Sequence, residues 1–585
     1  MQQHKLISVP RVVFLCVAVL MATMAFAQID AQVFLPAVGA AWTQVTGNQV
    51  QPPQVRSLRA TASMTALRMN LTGFHQLALT RNNIKFQRLF LPDSATTSVV
   101  GRPEMPVVRS LVAIPEGATV KLTVKAGVAK TFTKMQVFPA QQPVAEDGIT
   151  ETPFTMDNAF YKRDENYPPQ LAQVSAPMKI RDTTVVLVEM APMQYNPAQQ
   201  QLTVYDNMDV ELTFNKQAAR LGAARLTTTT VTRPVSAVIN EDLYRIIIAA
   251  NLPWDYLIIT PDAYVPNLQP LVNWKTARGL TVHVAKLSDV GHTVTDVKSY
   301  IKSAYDQHKI RYVLLVGDTP DIPPAMYNGD AASDFPYTLV SGADYLPDVA
   351  LGRFSVHSAA ELDNVVKKSV DYEHNPYVAD KSWYKKALCV SNDGYFQDTS
   401  EWVAAFLTAH GYAVTKVYQS LGNATAANVA NAVNNGRAIV NYRGHGAPSG
   451  WATTGFNNAN VNALTNGAKL PAIISPTCLT GCFDDTSDCF SETWVKSYAT
   501  GTPRGAVSYW GSSRISYGGY NDELCKGAYK ALFDDGLPCM GDIVNKAKLY
   551  MLAAYGTGDS TALLELHLFN LFGDPELHVW TAAPK

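Results

Sequence analysis

The stretch Ile439–Trp451, IVNYRGHGAPSGW, is a short apolar run that ends in a histidine between two glycines. Glycine lets the backbone turn sharply and approach a ligand closely. The two glycines would hold His445 exposed at the exit of a buried strand, on rigid structure. That placement suits a general base, although a tight turn with a bystander histidine would have the same local sequence.

Six short apolar runs of this kind lie in the second half of the chain, and helical patterns lie between most of them. They are DYLIIT (Asp255–Thr260), RYVLLV (Arg311–Val316), ALCVS (Ala387–Ser391), RAIVNY (Arg437–Tyr442), AIIS (Ala472–Ser475) and GAVSY (Gly505–Tyr509). Ser358 and Glu361 form a capping-box pattern in front of one helical repeat. Buried strands alternating with helices predict an α/β domain with a mostly parallel sheet, whose ligands bind beyond the carboxyl ends of the strands.

Three side chains with catalytic chemistry follow three of these runs. Asp393 follows ALCVS, His445 follows RAIVNY, and Cys478 follows AIIS. A cysteine nucleophile needs a base to form the thiolate, and the base needs an orienting partner. We therefore expect Cys478 as nucleophile, His445 as base and Asp393 as the acid that orients the histidine.

Each of these residues also has a structural interpretation. Cys478 could be a buried structural thiol, and Asp393 could belong to an ordinary Asn-Asp-Gly turn. Cys478, Cys482 and Cys489 could bind zinc together with His445, but their spacings match no common zinc motif.

The composition and the N-terminus limit the class of protein. The 585-residue chain has a net charge of −1 and no basic run, which argues against nucleic acid as a partner. Lys5 and Arg11 precede the apolar run VVFLCVAVLMATMAFA, which ends at Ala27. Residues 1–27 are therefore predicted to be a secretory signal, and the protein to be secreted, extracellular or periplasmic, without a membrane span after signal removal.

The first half of the chain has a different pattern. Alternating runs such as KLTVKAGV (Lys121–Val128) and TTVVLVEM (Thr183–Met190), punctuated by glycine and proline, predict an all-β, sandwich-like domain over residues 28–219. Residues 220–252 begin with a basic, threonine-rich sequence that is typical of a linker. Residues 253–585 hold the α/β pattern.

The predicted linker offers sites for activating cleavage. Its arginines are Arg220, Arg225, Arg233 and Arg245. Pro234 follows Arg233 and would resist most proteases there, so Arg225 or Arg245 is favoured.

Residues 253–578 resemble the catalytic domain of the gingipain family of cysteine peptidases. The matching motifs occur in family order: YVLLVGDTPDIP (Tyr312–Pro323), SDFPYTLVSGADYLPDVALGRFSV (Ser333–Val356), IVNYRGHG (Ile439–Gly446), PTCLTGCF (Pro476–Phe483) and LFNLFGDPEL (Leu568–Leu577). The preceding domain is similar to the family's propeptide in Gly101–Val124 and Gln194–Phe214. The resemblance implies a caspase-like catalytic fold and a secreted cysteine endopeptidase made as a zymogen, with protein or peptide substrates and its own propeptide as inhibitor.

The resemblance also implies roles for individual residues. His445 and Cys478 fall on the family's His-Gly and Cys-x-x-Gly positions, and Asp393 falls where the family carries an orienting acid. The backbone amides of Gly446 and Cys478 would form the oxyanion hole. The acids that select arginine or lysine in gingipains have no clear counterpart; Asp398 and Tyr517 lie near those positions as candidate pocket residues, so we do not expect basic specificity.

No cofactor is expected for the chemistry, and a structural calcium ion is implied by the resemblance alone, because the chain has no EF-hand loop. Two other functions remain open at this stage. A sortase-like transpeptidase on the same scaffold would transfer the acyl group to an amine, and a non-enzymatic surface or adhesion protein would carry a degenerate site. Intact His445 and Cys478 argue against the second.

Overall fold

The computed structural model describes residues 39–47, 49–215, 230–232, 239–240, 247–249, 254–499 and 501–584. Their largest element is a ten-stranded sheet in the second half of the chain. Its strands are β1 (Tyr256–Thr260), β2 (Val282–Lys286), β3 (Tyr312–Val316), β4 (Ala350–Phe354), β5 (Lys386–Ser391), β6 (Ala413–Tyr418), β7 (Ile439–Arg443), β8 (Ala472–Ile474), β9 (Ser508–Ser512) and β10 (Phe569–Phe572).

The strand order across this sheet is β2-β1-β3-β4-β10-β9-β8-β7-β5-β6. Neighbouring strands are parallel, except that β9 and β10 pair antiparallel. The prediction of a mostly parallel α/β sheet is confirmed, and each of the six apolar runs contributes a strand. The strand predicted at GAVSY (Gly505–Tyr509) begins three residues later in the structure, at Ser508, and ends at Ser512.

Helices cover both faces of the sheet. They are α1 (Gln269–Ala277), α2 (Leu287–Val290), α3 (Val294–His308), α4 (Ala359–His374), α5 (Tyr395–Ala409), α6 (Ala426–Asn434), α7 (Asn458–Asn462), α8 (Phe490–Lys496), α9 (Gly518–Phe533), α10 (Met540–Tyr555) and α11 (Ser560–Leu568). Alternate residues of β5 enter opposite cores: Cys389 belongs to the cluster that contains α5 and α9, and Leu388 to the cluster that contains α4 and α6. This alternation explains why the strand is apolar throughout.

The predicted cap of α4 is present in a modified form. Ser358 Oγ accepts a hydrogen bond from the Glu361 amide at 3.3 Å. The Glu361 carboxylate accepts from the amide of His357 at 2.9 Å, one residue before the position that a reciprocal capping box requires.

The N-terminal domain is built from small antiparallel sheets, which confirms the all-β prediction. The sheets comprise Ala41–Gln44, Gly73–Arg81 and Ile84–Phe90; Gln54–Thr61, Met64–Asn70, Asn207–Phe214 and Val120–Ala126; Ala172–Val174, Thr183–Met190, Pro106–Ala113, Ala95–Thr96 and Met178–Ile180; and Met193–Asn196, Gln201–Tyr205 and Ala129–Phe132. Short pairs elsewhere are Thr230–Thr232 with Ile247–Ala249, Ala325–Tyr327 with Ala331–Ser333, Tyr498–Ala499 with Thr502–Pro503, and the three-stranded Gly446–Ala447, Gly450–Trp451 and Phe456–Asn457.

The two domains share a buried interface. Leu111 and Val185 of the N-terminal domain belong to the same hydrophobic cluster as α9 and α10. The Arg181 guanidinium donates to the backbone carbonyls of Ile310 and Asp348 at 3.1 and 2.8 Å. The N-terminal domain is therefore docked through both apolar burial and specific hydrogen bonds to backbone groups of the other domain.

The topology also fixes where a site can lie. Strands β8, β7 and β5 are neighbours and run parallel, so the residues that follow them emerge at one edge of the sheet. In the described part of the chain, no helix has the length and apolar character needed to cross a bilayer. The proposed cleavage sites Arg225 and Arg245, and the predicted signal, lie outside the described residues.

Candidate active site

His445 follows β7 at this edge, and its backbone is held on two sides. The Tyr442 hydroxyl donates to the His445 carbonyl at 2.6 Å, and the Ala452 amide donates to the same oxygen at 3.0 Å. The ring of Phe396 packs edge-on against the imidazole, with centroids 5.0 Å apart. His445 Nδ1 lies 2.7 Å from the carbonyl oxygen of Glu146, a residue of the N-terminal domain.

Gly446 is a glycine because the loop that carries Cys478 passes too close for a side chain. A Cβ atom at position 446 would lie 2.1 Å from the carbonyl oxygen of Cys478 and 3.0 Å from Cγ2 of Thr477. The hydroxyl of Thr477 also donates to the carbonyl of Gly444. The glycines beside His445 therefore bring the histidine and cysteine loops into direct contact.

Cys478 lies just beyond the end of β8 and is fully buried. The Ser516 amide donates to its Sγ at 3.2 Å. The next residue, Leu479, has a φ of 63°, a left-handed conformation that is uncommon outside glycine, so the chain turns sharply behind the thiol. Burial, with a contribution from the charge of Glu146, raises the pKa of Cys478 to about 12. The thiol is thus protonated at neutral pH in this state.

Residues 144–148 of the N-terminal domain, here called the inserted segment, reach into this site. The Glu146 amide donates to the Ser516 carbonyl, and the Gly518 amide donates to the Val144 carbonyl, both at 2.9 Å. These bonds are those of a short antiparallel pairing beside Cys478. The inserted segment therefore fills the site: it pairs through Ala145 and turns at Glu146 and Asp147.

The Glu146 side chain enters a buried pocket of hydrogen-bond donors. Arg443 Nη1 and Nη2 lie 2.9 and 2.6 Å from its two carboxylate oxygens, and Asn521 Nδ2 donates to it at 2.6 Å. Asp522 binds the other side of the same guanidinium at 2.6 Å. Burial raises the pKa of Glu146 to about 7 against the attraction of Arg443, and the charge of Asp522 adds to the rise.

The structure does not join Asp393 to the histidine. Asp393 is exposed between β5 and α5, and within the described residues no hydrogen bond or ion pair links it to His445. Its neighbour Asn392 lines, together with His445 and Thr453, a cavity of about 430 Å³. The orienting role of Asp393 remains a prediction.

The two candidate pocket residues have different surroundings. Tyr517 pairs with Ala145 of the inserted segment, and its amide donates to Glu565 at 2.7 Å. Asp398 is exposed on α5, and among the described residues its carboxylate makes no hydrogen bond to the inserted segment.

Sequence reasoning missed Arg443 and Glu146. Arg443 had a usable signal, because a charged residue at the end of an apolar strand must have a buried partner or an opening to solvent. Glu146 had none, because its partner Arg443 is 297 positions away in the chain.

The zinc alternative finds no support in the geometry. Cys482 Sγ donates to the carbonyl of Ser513 at 2.9 Å. In the part of the chain that the structure describes, the one group of three close ligand atoms is Cys539, Glu576 and His578. Arg278 already lies 2.7 Å from Glu576 and 2.6 Å from His578.

Family models match nearly the whole described chain. Residues 249–580 match peptidase family C25, and residues 46–248 match the C25 propeptide. Gingipain R2 of Porphyromonas gingivalis is 26% identical over 569 residues, which cover 91% of this chain and 74% of that protein. Lys-gingipain of the same species is 28% identical over 562 residues, which cover 88% of this chain and 32% of that protein.

Two solved structures are similar to part of this chain. The crystal structure of the Arg-specific cysteine proteinase gingipain R (RgpB) aligns with a TM-score of 0.54 and 27% identity, over 58% of this chain and 81% of that one. The complex of the RgpB pro- and mature domains aligns with the same TM-score and identity, over 57% of this chain and 81% of that one. The caspase-like fold and the gingipain resemblance are confirmed.

Alkylation should reveal the suppressed thiol. In the uncut chain we expect iodoacetamide to modify Cys478 slowly at pH 8, with a rate that rises steeply as the pH approaches 12, because only the thiolate reacts. After the N-terminal domain is removed, the rate at pH 8 should rise. Peptide mass spectrometry measures each thiol separately, and Cys482, whose pKa burial also raises to about 12, is the internal control. Equal rates for Cys478 before and after removal would contradict the assignment.

Proposed function

The chain belongs to peptidase family C25 and carries that family's propeptide, and from this premise we propose that Cys478 and His445 hydrolyse peptide bonds in its protein substrates. The protein is a gingipain-like cysteine endopeptidase made as a zymogen. The observation that carries the assignment is the 2.7 Å contact between His445 Nδ1 and the carbonyl oxygen of Glu146, beside the buried Cys478 thiol. It supports a peptide-cleaving site over a degenerate surface protein, and the match to peptidase family C25 favours hydrolysis over transfer to an amine.

In the proposed reaction, His445 takes the proton of Cys478, and the thiolate attacks the scissile carbonyl carbon. The amides of Gly446 and Cys478 stabilise the oxyanion of the tetrahedral intermediate. His445 then protonates the leaving amine, which breaks the C–N bond and leaves a thioester. Water, deprotonated by His445, hydrolyses the thioester and releases the second product.

The described state is proposed to be the latent one. The inserted segment occupies the cleft, and its Glu146 carbonyl oxygen is bonded to His445 instead of to the proposed oxyanion amides. In the described residues, neither Gly446 nor Cys478 donates its amide to that oxygen. While the chain is intact, the propeptide is tethered, so its effective concentration at the cleft is high.

The domain boundaries, the export route and a structural calcium ion stay proposals. The proposed boundaries are residues 1–27 for the signal, 28–219 for the propeptide, 220–252 for the linker and 253–585 for the peptidase. The signal would direct export. The chemistry above uses no metal. A structural calcium ion would need six to eight oxygen ligands, and the cluster of Cys539, Glu576 and His578 does not fit that requirement.

Replacement of the nucleophile should abolish activity. We expect Cys478→Ala to lower kcat/KM of the processed protein by a factor on the order of 10⁴ or more, with the thermal unfolding midpoint little changed. Cys482→Ala, at a buried thiol four positions on, is the matched control and should keep its activity. Turnover that survives in Cys478→Ala would identify a different nucleophile.

Asp393→Asn tests the orienting acid. If Asp393 orients and charges His445 once the inserted segment has left, kcat/KM should fall on the order of 10-fold or more, and the acidic limb of the pH–rate profile should move. Asp289→Asn, at an exposed aspartate on α2, should change neither. An unchanged profile in Asp393→Asn would leave a Cys-His dyad.

Activation should follow cleavage in residues 220–252, at Arg225 or Arg245. Cutting the tether converts an intramolecular inhibitor into a dissociable one, so dilution after the cut releases activity. N-terminal sequencing of active material identifies the cut, and Arg225→Gln with Arg245→Gln in one chain should delay activation. A fully active, uncut chain that retains residues 28–219 would contradict the zymogen state.

A further inference from the structure

We propose that this peptidase cleaves on the carboxyl side of acidic residues, with glutamate preferred, and that the Arg443 pocket selects them. The inference rests on the proposed roles of Cys478 and His445 and adds the substrate class to them.

The inserted segment approaches the site as a substrate would, by main-chain pairing beside Cys478, and its Glu146 carbonyl then contacts His445 and not the proposed oxyanion amides. Extended peptides commonly bind by main-chain pairing along an exposed edge, and the bonds from Glu146 to Ser516 and from Gly518 to Val144 are of this kind. The carbonyl group next to the catalytic histidine is that of Glu146. The Glu146 side chain therefore occupies the pocket for the residue whose carbonyl carbon would be attacked.

That pocket supplies three hydrogen-bond donors to a carboxyl group, and they oppose the burial that raises the pKa of Glu146 to about 7. Arg443 contacts both carboxylate oxygens, in the bidentate arrangement that matches a guanidinium to a carboxylate. Asn521 supplies a third donor. A Cβ atom at Gly518 would press on the Tyr395 ring at 3.2 Å and would lie in ordinary contact, 3.5 Å, with a Glu146 carboxylate oxygen, so this glycine lines the pocket.

All these donors belong to the peptidase domain and stay when the propeptide leaves. Arg443 is anchored separately by Asp522, at 2.6 and 3.1 Å, and by the carbonyl of Pro476 at 2.5 Å. Thr399 also donates to Asp522 at 2.7 Å. The anchored guanidinium therefore keeps its position for an incoming carboxylate.

Other side chains fit this pocket less well. An apolar side chain leaves buried N–H donors of Arg443 and Asn521 without acceptors, which is unfavourable in a pocket closed to water. Glutamine offers one acceptor oxygen where glutamate offers two. Lysine or arginine adds a second buried cation beside Arg443. Asp522 Oδ1 already accepts from Arg443 and Thr399. Its Oδ2 has no hydrogen-bond partner in the described residues, so faster cleavage of Lys or Arg peptides would assign the pocket to this oxygen instead.

A substrate series tests the pocket directly. Enzyme processed from the full-length chain is given quenched peptides that differ only at the residue before the scissile bond: Glu, Asp, Gln, Ala, Lys or Arg. We expect kcat/KM for the Glu peptide to exceed that for the Gln peptide by about 10-fold or more, and those for the Lys and Arg peptides by about 100-fold or more. Equal or faster cleavage of the Ala, Lys or Arg peptides overturns the proposal.

Asn521→Asp provides a second measurement that does not depend on the yield of folded enzyme. The new carboxylate faces the substrate carboxylate, so the ratio of kcat/KM between the Glu and Gln peptides should fall within the same preparation. Asn431→Asp, at an exposed position on α6, should leave the ratio unchanged. A ratio that is the same in Asn521→Asp and wild type contradicts the pocket assignment.

The two levels of inference fail in different ways. If the processed enzyme cleaves non-acidic peptides best, while Cys478→Ala is inactive, the acidic preference is wrong and the proposed function stands. If no peptide of the series is cleaved, and Cys478 is no more reactive towards iodoacetamide than Cys482, the proposed function fails and the acidic preference fails with it.

Discussion

One buried guanidinium, that of Arg443, connects the parts on which this molecule depends. It ends strand β7 and binds the carbonyl of Pro476, two residues before Cys478. It also pairs with Asp522 on α9 and with Glu146 of the propeptide. This one charged group, which has no access to solvent, therefore contacts the histidine strand, the cysteine loop and the propeptide. It helps to fix the position of all three.

A buried ion pair is poor evidence of stability, because desolvation offsets much of the attraction. The network around Arg443 instead fixes the positions of the elements that it joins. Each partner comes from a different element, and a carboxylate in the wrong register would leave a charge buried without a counter-ion. The apolar contacts of Leu111 and Val185 hold the propeptide onto the peptidase domain, while the ionic contact specifies which of its residues faces His445.

The sequence was most informative where local pattern and chemistry coincide. His445 and Cys478 were predicted as site residues because each follows a continuous apolar run, and Gly446 because of the family resemblance. The close approach of the two loops is visible only in the structure. Strand Ala350–Phe354 escaped notice because a glycine and the buried Arg353 interrupt its apolar pattern. GAVSY was misplaced by three residues, because apolar runs mark burial better than they mark where pairing begins. Asp393 was predicted because it follows the run ALCVS and falls on a family position, and its role stays a prediction. No local pattern reveals a contact such as that of Glu146 with Arg443.

The insertion of Glu146 into the Arg443 pocket has an evolutionary consequence. If the pocket selects substrates as proposed, a lineage that altered the pocket alone would weaken the fit of its own inserted segment, while the apolar interface and the tether would still hold the propeptide. A lineage that altered residue 146 alone would weaken the same fit. A new cleavage preference would therefore keep full latency only through paired substitutions in two distant parts of one gene. Across descendants of this chain, the residue at position 146 should covary with the pocket residues, and its identity should indicate the cleavage preference of the enzyme.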